Sequence, residues 1–240
     1  MILLAIDTCD TRGSVAVLRD AAVLQIAVHD SAEEYSSWLL PAVDGVLESA
    51  GIKMQDVEVY AAACGPGSFT GVRVGLTTVK AWSEVYGRPI AAVSRLEALA
   101  SQSTENTAYV TAFLDAHREQ VFGALYRRNG VRLERIGDEA VIAPGEFVEW
   151  VGATVGSERV VWVSPDMECV AREGSWAKRQ ATGDLAVRVE AKLAGEIGKI
   201  GYRMALENGL TDALALDANY VRRTDAEIHW RSGTGHGRGR

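Results

Sequence analysis

The stretch Gly65-Pro66-Gly67-Ser68-Phe69-Thr70-Gly71 joins two segments of different periodicity in this 240-residue chain. Before it, residues 57–64 form a short apolar run that predicts a buried strand. After it, residues 71–86 carry apolar side chains at helical spacing, and Thr70 is a candidate N-cap for that helix. Strands that alternate with helices through short glycine-rich turns are typical of α/β proteins. The stretch therefore predicts an α/β fold.

Upstream of this glycine-rich turn, the chain opens with a predicted β-meander. Its three strands are short apolar runs at residues 2–7, 14–18 and 23–28. Residues 33–50 then follow helical spacing up to Gly51, which ends the predicted helix. Residues 90–93 predict a further short strand after the second helix. These elements make one block of the order βββαβαβ.

A polar segment at residues 101–106 predicts a boundary, and a second block begins after it. Asn129-Gly130 predicts the hairpin turn between the last two of three new strands, at residues 109–114, 121–126 and 131–136. A short helix, a strand and a long helix are predicted to follow at residues 144–151, 160–163 and 190–207. The recurrence predicts a duplicated architecture of two lobes with a cleft between them.

The blocks predict the domain boundaries. We expect residues 1–102, together with about 208–224, to form an N-terminal lobe, and residues 103–207 to form a C-terminal lobe. The long helix at 190–207 is a candidate for packing back on the first lobe. Residues 225–240 are dominated by Gly, Arg and His, which predicts a disordered tail.

Composition excludes several classes of protein. The formal net charge is −7, from 25 basic and 32 acidic residues, which argues against a surface that binds nucleic acid over its whole extent and leaves open a local basic patch. The apolar run at the amino terminus stops at Asp7, and no later run approaches the ~18 residues that span a bilayer. We therefore expect a cytoplasmic protein with no membrane partner.

The three cysteines and four histidines lack the spacings of metal sites. Cys9, Cys64 and Cys169 are widely spaced without a Cys-x-x-Cys pair, so neither a disulfide framework nor a zinc ribbon is indicated. The histidines show no His-Glu-x-x-His spacing, which removes the usual zinc peptidase. No metal site is predicted.

Two places in the chain have residue types that suit a ligand. Asp7 and Thr8 end the first strand, where a magnesium nucleotide would sit in an α/β cleft, and a plain turn-forming Asp is the alternative. The glycine-rich turn offers backbone N–H groups to phosphate, but it lacks the Lys of a P-loop, so a packing role for its glycines is equally open. Asp115, His117 and Glu119 would supply an acid or base, or form only a charged turn.

The two predicted helices of the first block carry more apolar surface than one sheet can cover. Projected at ~100° per residue, the apolar side chains of residues 33–50 span roughly 200°, and those of 71–86 a comparable arc. The second face would meet another helix, a second domain or another chain, and a four-helix interface is attractive; burial beneath the second domain is the alternative. Gly71 and Gly75 would let a partner's backbone approach. The candidate interface residues are Trp38, Leu39, Val43, Val46, Gly71, Val72, Gly75, Leu76, Val79, Trp82 and Tyr86.

Four stretches of the chain form a combined pattern: Ala5-Ile6-Asp7-Thr8, the run from Gly65 to Gly75, Asp115-Ala116 with Val121-Phe122, and Tyr220-Val221-Arg222. Together they resemble the TsaB (YeaZ) family. The resemblance spans about residues 1–222, and the Gly-Pro-Gly-Ser-Phe-Thr-Gly-x-Arg motif is highly specific to that family and its relatives. It implies an actin-like, sugar-kinase-like ATPase (ASKHA) fold of two related lobes. It also implies a part in forming N6-threonylcarbamoyladenosine beside the anticodon of tRNAs that read codons starting with A.

The resemblance further implies a non-catalytic role as partner and scaffold of the paralogue TsaD, which carries the metal, the nucleotide and the transfer chemistry. The chain would then have no cofactor of its own, because ATP and a metal belong to the partner complex. The implied partners are TsaD, the TsaE ATPase through the complex, tRNA indirectly, and a second copy of the chain when it is alone. The residues that would remain of a nucleotide site are Asp7, Thr8, Gly65, Gly67 and Ser68.

Three positions depart from the family pattern and favour a pseudoenzyme. Tyr35 stands where relatives often have His, and His117 and Gln120 depart from an Asp-Ala-Arg-x-x-Glu-Val pattern. Two other functions stay open. One is an active ATP-dependent phosphotransferase of the same fold; the other is a peptidase, which the absence of a zinc motif and of a Ser-His-Asp or Cys-His group disfavours.

Overall fold

A computed structural model describes residues 1–29, 33–219 and 221. The described residues of the first half form five strands, three α-helices and a short 3₁₀ turn: β1 (Ile2–Asp7), β2 (Ser14–Arg19), β3 (Ala22–Val28), α1 (Tyr35–Ala50), the turn Met54–Asp56, β4 (Val59–Ala63), α2 (Phe69–Tyr86), β5 (Ile90–Val93) and α3 (Arg95–Ser101). The second half contains β6 (Tyr109–Asp115), β7 (Val121–Asn129), β8 (Arg132–Ile142), α4 (Pro144–Val155), β9 (Val160–Ser164), α5 (Glu168–Ala171), α6 (Gly174–Ala181), β10 (Leu185–Arg188) and α7 (Ala194–Leu206). The predicted tail at 225–240, Tyr220 and Arg222 lie outside the described residues.

The two halves build sheets of the same topology. The first sheet has the order β3-β2-β1-β4-β5, and the second has the order β8-β7-β6-β9-β10. In each sheet the opening meander is antiparallel, while the fourth and fifth strands run parallel to the first. The predicted α/β class and the duplication into two related lobes are therefore confirmed.

The helices form layers on both faces of the sheets. On the first sheet, Gly75 of α2 faces Ile6, whereas Gly201 of α7 faces Leu3 on the opposite side of β1. Helix α3 packs against β6, β7 and α7, so α3 and α7 lie between the two sheets. One hydrophobic core runs from the first sheet through this layer to the inner face of the second sheet. The outer face of the second sheet has a separate aromatic core around Phe147 and Trp162.

Helix α7 follows the second sheet in the chain but packs on the first. It lies against β1, β2, β4 and β5. Two glycines allow this close approach: a Cβ on Gly198 would lie 2.3 Å from Leu18 Cδ1, and one on Gly201 would lie 2.8 Å from Ala61 Cβ. The helix begins at Ala194 instead of residue 190, and the proposed lobe boundaries stay a prediction.

The sequence patterns misplace some element ends and miss the shortest elements. The N-cap of α2 is Ser68, whose hydroxyl accepts from the N–H of Gly71, so the prediction of Thr70 is wrong. Helix α4 extends to Val155, beyond the predicted end at 151. The elements that the patterns do not predict have eight residues or fewer, too short for periodicity to show: α3, α5, α6 and β10.

None of the described helices is both long and apolar enough to cross a membrane.

We expect Gly201→Ala to destabilise the protein, because the new Cβ would meet the Cβ atoms of Ala61 at 2.8 Å and Ala91 at 3.2 Å, both fixed to strand backbone. The free energy of unfolding should fall by about 1–3 kcal/mol relative to Gly195→Ala, as measured by urea denaturation. Gly195 lies six residues earlier in α7 and meets only a Val23 methyl at 3.3 Å, so both variants share the gain in helix propensity. Equal stabilities would contradict the close packing.

Candidate functional site

The candidate site lies at the carboxyl end of β1, where the glycine-rich turn packs against the residues that follow the strand. We call this region the cleft mouth, after the cleft that the sequence predicts. In open α/β sheets this edge, outside the carboxyl ends of the strands, is where ligands bind. The turn folds back on the residues after β1, since the N–H of Ser68 donates to the carbonyl of Cys9 at 2.6 Å. A Cβ on Gly67 would lie only 2.2 Å from the same carbonyl. The structure thus brings together the five predicted site residues, namely Asp7, Thr8, Gly65, Gly67 and Ser68.

A buried arginine that the sequence analysis missed occupies the centre of this site. The Nε of Arg95 lies 3.0 Å from Asp7 Oδ2, and its Nη2 lies 2.8 Å from Asp10 Oδ2. Its Nη1 lies 3.5 Å from the carbonyl oxygen of Pro66, and its backbone N–H donates to the carbonyl of Gly65. Arg95 is only 1% exposed. One side chain therefore ties the start of α3 to the end of β1 and to the glycine-rich turn.

The two carboxyl groups beside Arg95 respond differently to their surroundings. Burial raises the pKa of Asp7 above its ordinary value, although Arg95 and the N–H of Cys9 oppose that effect. Burial also acts on Asp10, but Arg95 and the N–H of Arg12 outweigh it, and the pKa of Asp10 lies below its ordinary value. The two pKa values shift in opposite directions because the side chains differ in exposure: that of Asp7 is fully buried, whereas that of Asp10 is 23% exposed.

A second arginine extends the network to the other lobe. Arg12 contacts Asp166 through two hydrogen bonds of 3.0 and 3.2 Å, and it also reaches Asp10 at 3.3 Å. Asp166 accepts the N–H of Asp115, the last residue of β6, at 3.3 Å. The ion pair between Arg12 and Asp166 therefore joins the hairpin after β1 to the second sheet.

Of the residues proposed as an acid or base, Asp115 ends β6, and His117 and Glu119 lie in the exposed turn that follows it. His117, Arg118 and Glu119 have φ of 57°, 53° and 58°, a left-handed run without glycine. The N–H of His117 donates to Asp115, and the imidazole is 87% exposed. This arrangement matches the charged-turn alternative.

The C-terminal segment closes the glycine-rich turn from the other side. The N–H of Asn219 donates to the carbonyl of Cys64 at 2.7 Å, and its side-chain amide donates to Glu139 at 2.6 Å. Glu139 also accepts the hydroxyl of Ser94, the residue that caps α3, at 2.5 Å. Burial raises the pKa of Glu139. This carboxyl group from the second sheet thus holds two segments that flank the turn.

Thr8 and the glycines of α2 pack against each other inside the lobe. The hydroxyl of Thr8 donates to the carbonyl of Gly71 at 2.6 Å. A Cβ on Gly71 would lie 2.0 Å from the carbonyl oxygen of Thr8, and one on Gly75 would lie 2.6 Å from its Oγ1. The prediction that these glycines open a helix crossing for a partner is wrong, because the element they approach is the end of β1.

Most of the candidate interface residues lie inside the monomer. Those that are buried in the first lobe are Leu39, Val43, Val46, Gly71, Val72, Gly75, Leu76 and Val79. Trp38 and Trp82 are partly buried, and Tyr86 is 39% exposed. The apolar arcs are wide because aromatic residues of the same lobe cover the second side of each helix. Trp38 packs on the His29 and Tyr35 rings, and the ring centroid of Trp82 lies 5.7 Å from that of Tyr60.

Known proteins resemble this chain over most of its length. The "tRNA threonylcarbamoyladenosine biosynthesis protein TsaB" of Bacillus subtilis (strain 168) is 28% identical to it, over 96% of this chain and 98% of that protein. The protein of the same name from Escherichia coli (strain K12) is 33% identical, over 70% of this chain and 75% of that protein. The chain belongs to the TsaB (YeaZ) family. The model of a family described as "TsaD: tRNA N6-adenosine threonylcarbamoyltransferase" also matches residues 26–229.

Solved structures have the same fold. YeaZ from Pseudomonas aeruginosa matches with a TM-score of 0.73 and 25% identity, covering 91% of this chain and 99% of that one. A ROK hexokinase from Thermus thermophilus matches with a TM-score of 0.52 and 14% identity, covering 86% of this chain and all of that one, a likeness of fold alone. The predicted actin-like, sugar-kinase-like (ASKHA) fold is confirmed.

We expect Gly75→Ala to destabilise the protein because its Cβ would lie 2.6 Å from Thr8 Oγ1 and break the bond to Gly71. The matched control is Gly45→Ala on α1, where a Cβ meets nothing within 4 Å and helix propensity should add about 0.5–1 kcal/mol. Gly75→Ala should lower the free energy of unfolding by about 1–3 kcal/mol in urea titrations. A Gly75 variant as stable as the control would restore the interpretation of this glycine as an external contact.

We expect the contribution of Asp10 to stability to depend on pH. Because its pKa is lowered in the folded state, the contribution is complete above the ordinary value of about 4 and is lost as the pH falls through the lowered value. At neutral pH, Asp10→Asn should lower the free energy of unfolding by about 1–3 kcal/mol, a difference that shrinks in acid. Asp44→Asn, at an exposed site on α1, is the control. A penalty that stays constant from neutral to acidic pH would count against the ion pair.

Proposed function

We propose that this chain is a non-catalytic partner and scaffold of a TsaD-type subunit in the formation of N6-threonylcarbamoyladenosine on tRNA. The names of its TsaB relatives support the pathway, and the family model that it matches supports a shared origin with the transferase. The observation that supports the non-catalytic role is that the polar groups at the cleft mouth form hydrogen bonds with other groups of the same chain.

A nucleotide site needs carboxylates free to face a magnesium ion and backbone N–H groups free to face phosphate. In this chain the Asp7 carboxylate accepts from Arg95 and from the N–H of Cys9. The hydroxyl of Thr8 donates to Gly71, and the N–H of Ser68 donates to the carbonyl of Cys9. These groups already have partners within the lobe. Their engagement supports a protein whose cleft is a structural element.

The exposed side of α1 and α2 is the surface that we propose for TsaD. Leu40 of α1 is 53% exposed, and Phe69 at the start of α2 is 41% exposed with the Arg73 guanidinium 3.6 Å from its ring centroid. Val85 and Tyr86 at the other end of α2 are 74% and 39% exposed. Aromatic and arginine side chains of this kind dominate binding energy at protein interfaces. The proposal therefore keeps the two predicted helices but uses the side of each that faces away from the sheet.

The remaining partners follow from the same complex. TsaE would associate through the assembled complex, and tRNA would be contacted indirectly. Without TsaD, a second copy of the chain would cover the same helices as a homodimer. The setting would be the cytoplasm, and ATP and metal would be bound by the partner subunits.

We expect the purified chain alone to form no threonylcarbamoyladenosine, and the chain with TsaD from the same genome to support its formation. The assay supplies tRNA, threonine, bicarbonate, ATP and a threonylcarbamoyl-AMP synthase, and it detects the nucleoside by mass spectrometry of digested tRNA. Modified nucleoside in the absence of TsaD would refute the non-catalytic role. Binding of magnesium ATP by the isolated chain in isothermal titration would instead support the ATP-dependent phosphotransferase.

The proposed surface is tested by Leu40→Glu and Phe69→Glu. Each should weaken association with TsaD by at least about tenfold, equivalent to about 1.4 kcal/mol, without changing Tm, because each places a charge on an apolar contact that is exposed in the free chain. Leu214→Glu is the matched control, since Leu214 is an apolar residue that is 90% exposed outside these helices. Affinity would be measured by biolayer interferometry and assembly by light scattering. Unchanged affinity in both variants, or an equal loss in the control, would place the interface elsewhere.

A further inference from the structure

The cleft of this fold raises the question of a magnesium nucleotide, because kinases bind Mg²⁺ through one or two carboxylates together with substrate phosphates. Asp7, the last residue of β1, and Asp10, three residues after it, supply two carboxylates at the cleft mouth. The residues around them do not fit such a group. The space between the two carboxylates is taken by a side chain of the protein itself, the guanidinium of Arg95.

The contacts of Arg95 are those that a hard cation would make. Its three nitrogens point to a carboxylate oxygen of Asp7 at 3.0 Å, a carboxylate oxygen of Asp10 at 2.8 Å and the carbonyl oxygen of Pro66 at 3.5 Å. Carboxylates and backbone carbonyls are also the protein ligands that Mg²⁺ and Mn²⁺ take. The three oxygens come from two different segments of the first lobe, which the guanidinium draws together.

We infer that Arg95 is a built-in cation, which takes the place of a divalent metal ion beside Asp7 and holds the cleft mouth in one conformation without a nucleotide. An ion bound from solution comes and goes with its concentration, whereas a guanidinium on α3 is permanent and always charged. The glycine-rich turn and the hairpin after β1 are therefore fixed in the free chain. Arg95 and the three oxygens that it contacts belong to the first lobe, and the inference stands independently of any association with TsaD.

The charge of the cluster supports a role for this cation that neighbouring groups cannot take over. Asp7, Asp10 and Asp166 carry three negative charges, and the two guanidiniums of Arg12 and Arg95 offset all but one of them. Arg12 contacts Asp10 and Asp166, so it leaves Asp7 to Arg95. Removal of Arg95 would leave a net charge of minus two around a vacated position, which suits a divalent ion.

The test replaces the guanidinium by an ion from solution. Arg95→Ala should have a lower Tm than the wild type, and millimolar Mn²⁺ should raise that Tm in a concentration-dependent manner. Electron paramagnetic resonance should detect bound Mn²⁺ in Arg95→Ala. The wild type and Arg95→Lys, which keeps a positive charge, should show no Mn²⁺-dependent rise in Tm. Arg12→Ala should also show no Mn²⁺-dependent rise in Tm, because Arg95 remains in place.

The double variant Arg95→Ala with Asp7→Asn assigns any bound ion to this position. It should lose the Mn²⁺ response, whereas binding that survives would belong to another site and overturn the inference. The inference would also be overturned if Arg95→Ala folds and its Tm does not change with Mn²⁺, or if Mn²⁺ raises the Tm of the wild type by the same amount. If Arg95→Ala does not fold, Arg95→Gln is refolded with and without Mn²⁺. Failure of both variants to fold in Mn²⁺ contradicts the inference, since the ion would then not replace the guanidinium.

Discussion

The ion pair between Arg95 and Asp7 is the interaction on which the arrangement of the cleft depends. Both side chains are buried, so each charge requires the other, and removal of one partner from such a pair typically costs about 3–5 kcal/mol. The pair also connects elements distant in sequence, since β1 opens the chain and α3 follows β5. The positions of the glycine-rich turn and of the hairpin that carries Arg12 follow from it. At the strand ends, where open α/β sheets usually bind ligands, this chain has a buried salt bridge.

The periodic parts of the fold could be predicted from the sequence, because long apolar runs report burial directly. The strand at Ile2–Asp7, the two helices of the first lobe and the repeated meander all follow from spacing. Spacing alone does not place Asp7 beside the glycine-rich turn, which only the resemblance to the TsaB family implied. The short elements escaped detection because four to eight residues do not complete a pattern. Helix α3 is one of these, and with it the central residue of the site was missed.

Two further errors have physical causes that a single sequence conceals. An apolar arc of about 200° shows that two sides of a helix are covered, but it does not identify the residues that cover them. In this chain the second side is covered by aromatic rings of the same lobe, such as Tyr60 against Trp82. The position of Arg95 in the first turn of a helix does indicate a special role. A positive charge there opposes the helix dipole and needs a compensating partner. Its partners lie 85 and 88 residues away, a distance that only the fold reveals.

The path of α7 has a consequence for how the chain reaches this structure during synthesis. The first sheet is complete in sequence at Val93, but the helix that covers its inner face ends at Leu206. On the ribosome, which adds about 5–20 residues each second, the nascent first lobe would expose the apolar side of β1 and β4 until more than a hundred further residues had emerged. The second lobe can collapse on its own aromatic core in that interval. The order of completion is thus the reverse of the order of translation: the lobe made first is the one finished last.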